Sequence, residues 1–210
     1  MASFLSRALY LTPIVPPPPI VTLGSSCIDA RSPTRPTGSY LVAAGESAVF
    51  GQGDRLVTFS VEVEEGLPVD LECFARVVEL TLGDPRSWIA GGELAVQRVD
   101  GGSPDVRVTL ASPTTVDSEC LPLNTAGIYS CWTGARAMIN LTRWTDGASD
   151  FGDDMTTYRI YVINHEVGHG LDRGHIGCAR AGEPAPVMMQ QTKSTGSCLP
   201  NGWPTPAELR

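Results

Sequence analysis

Every histidine in the 210-residue chain falls in one eleven-residue window, at positions 165, 169 and 175. The first two belong to His165-Glu166-Val167-Gly168-His169, an HExxH sequence. On a helix, residues i and i+4 share a face with Cβ atoms roughly 5–6 Å apart. Both imidazoles can then reach one ion at a Zn–N distance of about 2.0–2.1 Å. Glu166 lies about 100° around the helix from His165, too far round to be a third ligand but near enough to touch a water in the site. His175 can close a three-nitrogen site, with a fourth position left for water, only if the chain turns sharply after Leu171. The spacing therefore suits one metal ion held by His165, His169 and His175, with Glu166 within reach of a water on it.

Positioning these groups requires a buried helix. One is predicted from near Asp153/Asp154 through Leu171, with Tyr158, Tyr161, Val162, His165 and His169 on one face and Ile160, Ile163, Val167 and Leu171 on the next. Upstream, Leu56 to Val63 alternates apolar and polar side chains as a half-buried strand does. Leu71, Phe74, Ala75, Val78 and Leu82 keep helical spacing, with Asp70 as N-cap and Gly83 as stop. Leu94 to Val99 and Val106 to Ala111 read as strands joined by the turn Asp100-Gly101-Gly102-Ser103-Pro104, and Ala137 to Leu141 as another. The order implies an α+β domain with the last helix packed across a mixed sheet.

Composition closes off other chemistry. The net charge is -8 and no Lys/Arg run exists, which disfavours nucleic acid. Lys193 is the only lysine, leaving a phosphate-binding GxxxxGK[ST] loop or a Schiff base almost nowhere to sit. No segment reaches the roughly 18 apolar residues needed to span a bilayer. Six cysteines without a CxxC pair point to disulfides and an extracytoplasmic compartment. Proximity favours Cys120–Cys131 and Cys178–Cys198, leaving Cys27–Cys73 by elimination. Residues 1–38, with prolines at 16–19, 33 and 36, read as a stiff Pro-rich tail, a degenerate export signal being one account of it, and residues 39–210 as the domain.

HEVGHGLDRGH resembles the metzincin zinc-peptidase motif HExxHxxGxxH, and Pro186-Val187-Met188-Met189 resembles its Met-turn. VEVEEGL, DPRSWIAGG, VTLASP, YSC, NHEVGH, PAPVMMQQT and the closing Cys-x-Pro-Asn-x-Trp-Pro are similar to an uncharacterised family of actinobacterial secreted zincin-like domains, from about Ser39 to Pro204. The resemblance implies a metzincin fold: a mixed twisted sheet, an N-terminal helix, a buried active-site helix and a disulfide-stabilised C-terminal loop region. It implies a zinc ion on His165, His169 and His175, Glu166 as general base, and Met188 as the Met-turn methionine with Met189 as fallback. The expected function is a secreted, monomeric zinc endopeptidase acting on peptides or proteins. The competing expectations are a catalytically silent zincin-fold module binding a cell-envelope partner, and a zinc hydrolase of a cell-wall amide.

One departure bears on all three. The motif glycine is replaced by Asp172, where a left-handed turn is needed and Asp is among the least penalised side chains. Asp172 is also a rival ligand to His175. Lesser candidates are Asp150, Asp153 and Asp154 for calcium or a helix start, Trp132, Trp144 and Trp203 for a cleft floor, and Arg173 for a substrate carboxylate.

Overall fold

The computed structural model describes residues 21–29 and 34–210. Seven strands form one mixed sheet: β1 (Tyr40–Val42), β2 (Phe50–Gly51), β3 (Arg55–Glu64), β4 (Leu94–Arg98), β5 (Val106–Ala111), β6 (Cys131–Trp132) and β7 (Arg136–Asn140). Their order is β2-β4-β3-β5-β7-β6, with β1 also on β3. Strands β4, β3, β5 and β7 run parallel, while β1, β2 and β6 are antiparallel to their neighbours.

The strands at 94–98 and 106–111 are not partners of one another, although a turn sequence joins them. Register explains this: β4 pairs with Arg55–Phe59 on one side of β3, and β5 pairs with Phe59–Val63 on the other. The connecting residues cross β3 near Phe59 instead of reversing. Nor is β3 half-buried. Val57, Phe59, Val61 and Val63 enter the main core, but Ser60, Glu62 and Glu64 on the opposite face are buried too. Glu62 accepts from Thr109 and from Arg136 Nε, at 3.0 Å each. Glu64 accepts from Gly38 N–H, Ser112 N–H and Thr115 Oγ1. Burial raises the Glu64 pKa, yet these hydrogen bonds outweigh it and leave the carboxyl below its ordinary value.

Among the described residues four α-helices, α1 (Leu71–Leu82), α2 (Pro113–Glu119), α3 (Leu141–Asp146) and α4 (Met155–Gly170), and two short 3-10 helices, Trp88–Gly91 and Ser149–Phe151, complete the domain. Asp70 caps α1 by accepting from Cys73 N–H. Gly83 ends α1 in a right-handed conformation, its lack of a side chain serving packing: a Cβ there would lie 2.8 Å from the Phe50 ring. Helix α4 is buried from Tyr158 to Gly168 and shares the main core with α1 and the sheet. Each large apolar side chain so buried, such as Phe74 or Ile163, contributes about 1.5–3 kcal/mol.

All three disulfides have the expected pairing: Cys27–Cys73, Cys120–Cys131 and Cys178–Cys198. Residues before 39 also pack against the domain. Besides the Cys27 bond, Ile28 forms a bridge with Val69, Trp144 Nε1 donates to Ser26 O at 2.6 Å, and Arg159 donates to Gly24 O at 2.8 Å. These residues have too few apolar side chains to show as an element, and the fold holds them through backbone carbonyls and a disulfide. The prolines at 16–19 and the export-signal expectation lie outside the described residues. Among the described residues no helix is long and apolar enough to cross a membrane.

Candidate metal centre

Helix α4 begins at Asp154, whose carboxylate accepts from Thr157 N–H and Oγ1. It ends in a Schellman turn: Arg173 N–H bonds Gly168 O at 3.0 Å, and Asp172 N–H bonds His169 O at 3.1 Å. Asp172 occupies the left-handed position of that turn, with φ 62°. The motif glycine is therefore replaced without loss of the turn, at a conformational cost of at most about 1–2 kcal/mol. The turn brings His175 back to the helix: the three histidines gather, and Asp172 is not among them.

The three rings face one another. Centroids are 4.9 Å apart for His165 and His169, 5.3 Å for His165 and His175, and 4.7 Å for His169 and His175. The Nε2 atoms of His169 and His175 are 3.0 Å apart. One ligand nitrogen from each ring lies within 4.8 Å of the others, a spacing an ion about 2.0–2.1 Å from each can span. Two rings are oriented from behind. His165 Nδ1–H donates to Val187 O at 2.7 Å and His169 Nδ1–H to Arg173 O at 2.9 Å. Those bonds fix the tautomer and leave both Nε2 atoms unprotonated, as metal-ligating histidines require. Burial pushes the His165 pKa down to about 3, and those of His169 and His175 also fall below the usual histidine value because of burial. All three rings are thus neutral donors near pH 7.

Met188 lies beneath the helix, 1% exposed. A Cβ on Gly168 would come within 2.4 Å of Met188 Sδ and 2.7 Å of Trp88, so the glycine of HEVGH is what lets the methionine approach. Met189 instead offers its carbonyl to the Tyr161 hydroxyl. Asn164 ties the helix outward, accepting from Ser87 Oγ and donating to Gly202 O, while its carbonyl accepts from Trp88 Nε1.

A cleft of about 330 Å³ opens over the rings, with Trp132, Tyr129 and Leu123 among its walls. Glu166 lines it, is 4% exposed, and has a buried Oε2 with no hydrogen-bond partner. Burial pushes its carboxyl up to about 8. A neutral three-nitrogen set beside an orphaned carboxylate oxygen fits a divalent cation. The remaining candidates lie elsewhere. Asp150 accepts from Ser194 Oγ, Thr195 N–H and Thr195 Oγ1. Trp144 is core, Trp203 stacks under Arg86, and Arg173 donates to Arg210 O.

The family described as a protein of unknown function, DUF3152, matches residues 29–201. The chain belongs to this family. No curated protein and no solved structure matches it. The DUF3152 match covers the histidines, Glu166 and Met188 but stops short of a residue that sequence reasoning missed. Glu208, 6% exposed, accepts from Val187 N–H at 3.0 Å and Met188 N–H at 2.7 Å. It thereby holds the carbonyl that orients His165 and the methionine beneath it. The signal was present in Thr205-x-x-Glu208, a capping-box spacing; Glu208 does accept from Thr205 N–H at 2.7 Å.

Proposed function

We propose that this chain is a secreted zinc-dependent endopeptidase with a zincin or metzincin fold. The observation that carries the reading is the convergence of three neutral imidazoles, two of them braced through Nδ1, beside a buried carboxylate lacking a partner. Bound there, zinc would supply an acidified water and polarise a substrate carbonyl.

The chain's own groups supply the rest. Val187 O and Arg173 O keep the His165 and His169 rings in the orientation that presents Nε2 to the cleft. Glu166 lines the cleft, where its carboxylate would take a proton from water and return it to a leaving amine, and its raised pKa suits a group that must do both near neutrality. A cation beside it would draw that pKa down, towards the base form. Trp132 and Tyr129 provide apolar walls that limit water around the reacting groups. Three disulfides support an oxidising compartment outside the cytoplasm. The turn that Asp172 accommodates supports an intact three-histidine site.

The test is Glu166→Gln. Zinc content should stay near one per chain while casein cleavage falls by about 10²–10⁴-fold. Undiminished cleavage would remove Glu166 from its role, and zinc without hydrolysis of any peptide by the parent chain would favour the binding module.

A further inference from the structure

The charge of the cleft says something about its ligand, on the footing of the peptidase reading above. Lys193 is the only lysine of a chain with net charge -8. It lines the same cleft as His175, Tyr129 and Gln190. Its Nζ sits 5.4 Å from the centroid of the Tyr129 ring and 3.3 Å from Gln190 Oε1. Both neighbours are uncharged. Among the described residues no carboxylate lies within ion-pair distance of Nζ, whereas Arg76, Arg86, Arg98, Arg107, Arg136 and Arg180 each have one.

The backbone under this lysine is fixed. Lys193 N–H bonds Gln190 O, and the next two residues are anchored to Asp150 through Ser194 Oγ, Thr195 N–H and Thr195 Oγ1. The Tyr129 face attracts the ammonium and limits where it can swing. Among the described residues the only carboxylate lining the cleft is that of Glu166, which is buried. Among the cleft's side chains, a ligand therefore meets one accessible formal charge, and it is positive. A cation held over an apolar wall beside the reacting groups is suited to an anionic partner that arrives with the substrate.

We propose that Lys193 receives a carboxylate of the bound peptide, so that the site selects substrates carrying an acidic group close to the bond positioned at the histidines. The carboxylate can come from an Asp or Glu side chain or from a peptide's free C-terminus.

Binding tests this without relying on turnover. The full chain carrying Glu166→Gln, which keeps peptides whole, is titrated with three fluorescent heptapeptides of leucine and alanine around one central residue. The first has central glutamate and blocked termini, the second central glutamine and blocked termini, and the third central glutamine with a free C-terminal carboxylate. The first or the third should bind about two- to fivefold more tightly than the second, as expected for one partly screened ion pair. Which of them does so identifies the source of the carboxylate. The preference should shrink to about onefold in Lys193→Met, reverse in Lys193→Glu and fade with added salt. Equal affinities for all three peptides, no binding of any, or a preference that survives Lys193→Met would overturn the proposal. Lys193-dependent binding beside a parent chain that cleaves nothing would sink the peptidase reading alone, and cleavage indifferent to charge would sink this one alone.

Discussion

Asp172 decides, as a single residue, whether His175 can reach the other two rings. Its φ of 62° places an L side chain where glycine is at ease. Asp172→Gly should raise stability by about 1 kcal/mol, lifting the melting temperature by roughly 2–4 °C, with zinc content unchanged. Asp172→Val, β-branched and without a side chain that bonds locally, should lower stability and weaken zinc retention. Calorimetry with metal analysis reads both, and a Gly variant that loses zinc would assign Asp172 more than a turn. The pair His165 and His169 was legible because i,i+4 geometry is local to one helix. The acceptors behind them were not: Val187 O is 22 residues from His165 in sequence, and a backbone carbonyl leaves no mark in the residue types.

At the scale of elements, α1 and α4 stood out through their apolar periodicity and their Asp caps, and the strands at 55–64, 94–98, 106–111 and 136–140 through alternation or apolar runs. The pairing of those strands did not, because a Gly/Pro-rich turn serves equally for a reversal and for a crossing over β3. Helix α2 has only seven residues, too few for a period to show, although Ser112 and Pro113 mark its start with a cap and a proline in the first turn. The segment after residue 201 matters beyond its length, since Glu208 clamps the backbone at Val187 and Met188. Glu208→Ala would orphan two buried N–H groups at about 1–3 kcal/mol each, so a loss of about 2–6 kcal/mol in urea unfolding is expected. Zinc affinity should fall about 10–100-fold, because the support behind His165 slackens. Unfolding that weakens with zinc affinity intact would reduce Glu208 to a packing role.

For the whole molecule, the sheet, the core under α1 and α4, and the disulfides together keep one short stretch of chain folded back over a helix end. Cys27–Cys73 and Cys178–Cys198 enclose separations of 46 and 20 residues. In the chain-entropy model these constrain the unfolded state by about 4 and about 3 kcal/mol. Double Cys→Ser replacements should therefore destabilise by similar amounts in urea titrations. Only loss of Cys178–Cys198, whose loop contains Met188, should also speed zinc release; equal effects of the two pairs on release would dissociate that loop from the site. The cysteine pairs were readable from spacing and elimination, Cys27–Cys73 among them, whereas the hold on Gly24 and Ser26 was not, since it runs through their carbonyls. The central claim is that His165, His169 and His175 bind one zinc ion. Metal analysis of the purified chain beside His175→Ala tests it most directly: about one zinc per chain is expected in the parent and little in the variant after dialysis, and equal zinc in both, or none in the parent, would contradict it.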